Sequence, residues 1–232
     1  MEPGILIFIG GLLFVGAIFF FLFYFSKRAA MRRKMKNAVS QKISQFINGD
    51  VAKIVGNIEF VGEPLLAPLS GRPCAYYHAI VEQRVSSGKN SNWKKLIDEE
   101  ISGKFVIRDG RDCALIDCKQ IKTYLVPDKT FHSGFMNDAS TQLEQFLTQR
   151  GIKSVSFIGL NKTIRYREGV LESGELVAVL GKGEWKEARD LNIPESFGKI
   201  LQITPTDKQP VYLSDDPQTV KVTYSNDSQY LR

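Results

Sequence analysis

The chain has 232 residues, 31 Lys and Arg against 25 Asp and Glu, and a pI near 9.1, a balance that invites a nucleic-acid reading until the charges are placed. Seven of the basic residues fall between positions 26 and 49 and one acid, Glu2, precedes them, which leaves 24 of each sign in residues 50–232. The body is formally neutral and lacks the electropositive footprint that phosphate backbones require; three cysteines are too few for a disulfide framework.

Residues 4–25, GILIFIGGLLFVGAIFFFLFYF, contain no charged side chain. As a helix they would extend roughly 33 Å, against a hydrocarbon thickness of about 30 Å. A secretory signal carries its positive charge before the apolar run, whereas here SKRAAMRRKMK follows it. The expectation is an N-terminal transmembrane helix over residues 1–26, single-pass and retained. Lys27, Arg28, Arg32, Arg33, Lys34 and Lys36 then mark the cytoplasmic side and are candidates to contact lipid headgroups. Apolar positions from Met35 to Ile47 recur at helical spacing, so a basic amphipathic helix is expected over 27–49, ended by Gly49.

Beyond Asp50 the pattern is that of short strands separated by Gly, Pro, Asn and Asp. DVAKIVGNIEFVG and CAYYHAIVEQRV are strands, and GKFVIRDG with DCALIDC forms a hairpin on Asp109-Gly110. IKTYLVP, KSVSFIGL, KTIRYREGVL, ELVAVLGKG, KILQITP and PVYLSD follow. ESGE around Gly174 and GKG at 181–183 read as hairpin turns, and SSGKNSNWKKLIDEE at 86–100 as a polar loop. One helix is expected over 137–151, with Leu143, Phe146 and Leu147 on its apolar stripe and Gly151 at its end, and a second short one near EWKEARDLN. The fold class is mainly β: the membrane helix, then one antiparallel barrel or sandwich over 50–216 with one or two inserted helices, and a tail at 217–232.

Ser70, Cys74 and His78 lie within nine positions and could form a nucleophilic site. Ser70 lacks the G-x-S-x-G frame and precedes a strand rather than a helix. Alternation along CAYYHAIVE puts Cys74, Tyr76, His78 and Ile80 on one face and Ala75, Tyr77, Ala79 and Val81 on the other, both largely apolar, as in an interior strand. No catalytic residue, metal ligand or cofactor follows from this. Cys113 and Cys118 have zinc-compatible spacing, but their odd separation turns them to opposite faces, and no Gly-rich phosphate loop or paired-acid motif is present.

Three stretches together carry a resemblance: EPLLAPLSGRPCAYYHAIVEQ followed by Trp93, FVIRDGRDCALID, and IRYREGVLESGELVAVLGKGEW. They resemble the BAM ("beside a membrane") or GIDE domain of the MAPL/MULAN-like membrane-anchored RING ubiquitin ligases. The matching motif positions are Pro68, Ser70, Gly71, Cys74, Tyr76, Tyr77, Val81, Glu82, Phe105, Asp109, Gly110, Glu168, Leu171, Gly174, Glu175 and Gly181. A RING binds two zinc ions through eight Cys and His ligands, and this chain has five Cys plus His, none after His132. The resemblance implies a RING-less module that binds or regulates protein partners at a membrane surface; the alternative is a component of a ubiquitin-ligase-type system with the RING on another chain. The implied partners are membrane lipids and an unidentified protein, with no nucleic acid, small-molecule substrate or cofactor.

Overall fold

The computed structural model describes residues 27–87, 90–126, 129–133, 141–152 and 163–222. Thirteen strands dominate: β1 (Val51–Phe60), β2 (Leu65–Leu66), β3 (Pro73–Cys74), β4 (Tyr76–Ser87), β5 (Asn90–Ser102), β6 (Phe105–Asp109), β7 (Asp112–Ile116), β8 (Ile121–Tyr124), β9 (Lys129–Ser133), β10 (Ile164–Leu171), β11 (Leu176–Glu187), β12 (Lys199–Thr204) and β13 (Val211–Ser214). Two α-helices accompany them, α1 (Lys27–Asn37) and α2 (Thr141–Thr148).

β1, β6, β7, β12 and β11 are hydrogen-bonded in that order, and β1 returns to β11 to close a five-stranded barrel. Every pair in the ring is antiparallel except β7 with β12. Counted along the chain, the barrel strands follow the order 1-2-3-5-4-1 with the third and fifth parallel. That is the connectivity of small Greek-key barrels of the oligonucleotide/oligosaccharide-binding type. β13 and β8 extend the sheet beyond β11, again as a parallel pair.

Closure needs β1 to serve two neighbours. Val51 to Asn57 pair with β11, and Asn57 to Phe60 pair with β6. Gly56 lies at this change of partner, where a Cβ would stand 2.4 Å from the carbonyl oxygen of Arg108. The core inside the ring is built from Ile54, Ile58, Phe105, Ile107, Ala114, Val177, Val179, Leu201 and Ile203. Ile43 and Phe46 close it where β1 begins, and Ala75, Tyr76 and Leu171 close it near the end of β1.

The second layer is a four-stranded antiparallel sheet in the order β5-β4-β10-β9. Its apolar face, carrying Tyr77, Ala79, Val81, Ile164, Tyr166 and Val170, packs on Leu143, Phe146 and Leu147 of α2. Gly151 (φ 69) ends that helix, and the Ile152 amide donates to the Leu147 carbonyl at 2.9 Å.

Several expectations need correcting. No helix among the described residues is long and apolar enough to cross a membrane: α1 carries six Lys and Arg in eleven residues, and α2 has eight residues. Over the described residues the fold is therefore mainly β with two short α-helices, and the spanning helix is withdrawn from its description; residues 4–25, on which it rested, lie outside the described residues. The barrel is mixed rather than purely antiparallel. The basic helix stops at Asn37, because the Lys53 amide takes the Val39 carbonyl and the Gln41 amide the Lys53 carbonyl, drawing residues 39–41 alongside β1. The supposed loop at 86–100 holds most of β5, paired with β4 over its length despite a composition poor in strand formers. Gly174 has the expected positive φ of 83, yet its turn links two sheets rather than one hairpin, since β10 pairs with β4 and β9. Gly181 and Gly183 lie within β11, where a Cβ would meet Ile203 at 2.5 Å and the Phe46 ring at 2.3 Å. KSVSFIGL lies outside the described residues.

Gly56→Ala should destabilise the protein more than Gly71→Ala. The first forces a methyl into backbone that cannot retreat without opening the barrel, at a cost of about 2 kcal/mol or more. The second meets no atom within 4 Å and carries the left-handed backbone cost (φ 70) of about 1 kcal/mol. Chemical denaturation of both variants measures the order, and equal losses would contradict it.

Candidate functional site

The bend at Ala75, between β3 and β4, resets the alternation on which the Ser70–Cys74–His78 reading depended. Cys74 is fully buried with Tyr77, Ala79 and Val81 beneath α2, and not on the face of Tyr76 and His78 as the alternation implied. Burial, reinforced by the Glu168 carboxylate, pushes its thiol up to about 11. Ser70 is exposed on the 67–72 turn, where its Oγ accepts from the Arg72 Nε at 3.2 Å. His78 occupies the other face of β4, with Nε2 at 2.7 Å from Asp98 Oδ1. A protonated thiol on one face and an imidazole on the other cannot form a nucleophile–base pair.

What the structure does assemble is a charged face on the four-stranded sheet. Glu82 on β4 receives Arg165 Nε at 2.6 Å and Arg167 at 3.3 Å, both from β10. Arg165 also stacks over Trp93 of β5, 4.3 Å from the ring centroid. Further along, His78 lies between Asp98 and Glu100, Lys95 pairs with Asp98, and Glu100 takes hydrogen bonds from the hydroxyls of Tyr76 and Thr123. Hydrogen bonds from Arg165 hold the Glu82 carboxyl below its ordinary range, and those from His78 and Lys95 do the same for Asp98. Glu99 points to the opposite, helix-covered face, with Arg150 Nη2 at 2.6 Å and the Tyr77 hydroxyl at 2.8 Å; these bonds outweigh burial and lower its pKa too. Trp93, Lys95, Asp98 and Glu100 belong to β5, so reading 86–100 as a loop concealed much of this face; no propensity signal could have revealed it.

The remaining motif positions have structural tasks. Glu168 is buried and accepts the Leu69 amide at 2.8 Å, tying the 67–72 turn that holds Pro68, Ser70 and Gly71 to β10. Tyr77 and Glu82 work as described above. Asp109 and Gly110 (φ 64) make the β6–β7 hairpin, and Gly174 and Gly181 allow the turn and close packing already given. Of the six basic residues proposed to meet lipid, Arg32 pairs with buried Asp216 at 3.1 Å and Lys34 donates to Gln209 at 2.8 Å. Lys36 is exposed, Arg33 is half-buried, and the side chains of Lys27 and Arg28 lie outside the described set. Met31 and Met35 seat α1 on Ala178 and Leu180 of the barrel wall, so this helix is part of the folded body.

Two further features escape sequence reasoning. Lys53 is completely buried, its ammonium donating to the carbonyls of Thr219 (3.2 Å) and Lys221 (2.9 Å), with its pKa lowered by burial. The outer face of β6, β7 and β12, where barrels of this connectivity receive their ligands, is covered from within. Ala188, Leu191, Ile193 and Phe197 from the β11–β12 connection pack on Val106, Leu115 and Ile200. Cys113 borders this outer cluster and Cys118 the barrel interior; no group of three or more potential metal ligands converges among the described residues.

The depressed carboxylates fix a direction for pH dependence. A carboxyl whose folded pKa lies below its unfolded value stabilises the fold above the ordinary range of about 4, and that contribution vanishes as pH falls through the folded value. Glu59, held low by Arg108, joins Glu82, Asp98 and Glu99 in this group. The melting temperature should therefore fall between pH 6 and pH 3. Glu82→Gln should lower it at pH 6 and narrow the difference between the two pH values, whereas parallel curves would show that this pair contributes nothing. Comparison of the chain with protein-family models, with curated proteins and with solved structures gave no match.

Proposed function

We propose that this protein is a binding module, held at a membrane surface with its body on the cytoplasmic side, that engages a protein partner through the charged face of its four-stranded sheet. The observation that carries this reading is the row Trp93, Arg165, Glu82 and Arg167 beside the cluster His78, Asp98 and Glu100. Tryptophan and arginine, here stacked on each other, are the residue types enriched at protein-contact hot spots. The carboxylates of Asp98 and Glu100 remain about 40% exposed, so the face can exchange internal pairs for external ones. The membrane placement is supported by the sequence of residues 1–36 alone, with six basic residues directly after an uncharged run. The resemblance to the BAM/GIDE module points the same way.

Nucleic-acid binding is favoured by the connectivity of the barrel alone. Fold does not carry function, and here the usual ligand face is occupied by residues 188–197 while the body has no net charge.

A photoreactive amino acid in place of exposed Lys95, on the charged face, should give a discrete protein adduct in native membranes. The same residue in place of exposed Gln145, on α2, should not. Trp93→Ala should abolish the Lys95 adduct. Adducts only from position 145, or salt-sensitive retention of the full chain on single-stranded DNA, would refute the assignment.

A further inference from the structure

Between α1 and the β8–β13 edge of the barrel lies a cavity of about 510 Å³. Ala30, Met31 and Lys34 line it from the helix, and Ile121, Lys122 and Tyr212 from the strands. This volume falls within the range of small-ligand sites. It borders the partner face and shares Glu100 and Thr123 with it.

Two properties limit what it can hold. The walls are mostly carbon, through Ala30, Met31, Ile121 and the Tyr212 ring. Two lysines line it: Lys34, whose ammonium is 4.6 Å from the Tyr212 centroid and hydrogen-bonded to Gln209, and Lys122, which is exposed. The lining carboxylate, Glu100, already accepts from the hydroxyls of Tyr76 and Thr123 and faces His78 at 3.6 Å. A soluble anion would satisfy the lysines and leave the apolar wall wet; a neutral apolar molecule would leave the ammonium groups without a counter-charge. An amphiphile with an anionic head satisfies both.

We propose that this cavity binds one anionic phospholipid, with the phosphate between Lys34 and Lys122 and the start of an acyl chain against Met31 and Ile121. The choice of a membrane lipid rests on the membrane placement proposed above. Lys34 then has two roles: it fastens α1 to the barrel and presents charge to the lipid. Bound lipid would brace the helix against β8 and β13, coupling the orientation of the body to the composition of the adjoining leaflet.

The test titrates the full chain in neutral detergent micelles with dihexanoyl phosphatidylglycerol and follows binding by native mass spectrometry and calorimetry. Dihexanoyl phosphatidylcholine (the same chains without net charge) and glycerol phosphate (the head without chains) are the comparison arms. One phosphatidylglycerol should bind saturably, phosphatidylcholine at least tenfold more weakly, and glycerol phosphate not measurably. Lys122→Gln, an exposed change that leaves folding intact, should weaken phosphatidylglycerol binding by about tenfold, the scale of one charge-assisted contact. Ala30→Trp should fill the cavity and abolish binding. Equal affinity for both lipids, binding of glycerol phosphate as tight as that of the lipid, no saturable binding, or an unaltered Lys122→Gln titration would each overturn the proposal. The measurement depends on neither orientation nor a protein partner, so its failure is distinguishable from failure of the partner-binding reading.

Discussion

The structure depends on one strand bonding two neighbours within ten residues. β1 gives Val51–Asn57 to β11 and Asn57–Phe60 to β6, and the handover draws backbone against backbone at Gly56 and Arg108. A closed ring gives β1 a partner on each side, and it encloses the core built on Ile54, Ile58, Phe105 and Ile107. The other main described elements attach to this ring. Helix α1 lies on its wall, residues 188–197 seal another part, and the four-stranded sheet joins it at the end closed by Ala75, Tyr76 and Leu171.

This attachment explains why residue types associated with chemistry are occupied elsewhere. Joining two sheets requires the chain to change layers between β3 and β4, and the bend at Ala75 that accomplishes it turns Cys74 away from His78. Glu168 holds a turn, and Tyr76 closes the barrel while donating to Glu100. On β4, β5 and β10 surface polar groups form cross-strand pairs spread over a face, while Glu59 and Arg108 pair across β1 and β6.

Charge is partitioned as sharply as shape. The excess positive charge sits on one eleven-residue helix and its neighbours, while the body balances. Part of that helix charge is spent inward, Arg32 on Asp216 and Lys34 on Gln209, so α1 is oriented by the barrel. Lys53 shows the complementary arrangement, a cation with no solvent contact whose carbonyl partners fasten residues 219–221 across β1. Both ends of the described chain are thus held to the same wall by lysine and arginine.

Local sequence specified the mainly β class, the turns at Gly110 and Gly174, and the apolar stripe and glycine end of α2, because these follow from local periodicity and from backbone angles that only glycine adopts cheaply. It also determined the separation of a basic N-terminal segment from a neutral body, since that is counting. Tertiary structure decided the rest. β5 is a strand only because β4 supplies a long partner edge, which overrides the poor propensity of its Asn, Lys, Asp and Glu. Gly181 and Gly183 look like a turn but stand mid-strand, since their value is the space they leave for Ile203 and Phe46, residues distant in sequence. The fate of Lys53 and the two faces of Cys74 and His78 were equally hidden. Burial and facing are set by which segments pack together, and no local pattern encodes a contact across more than one hundred residues.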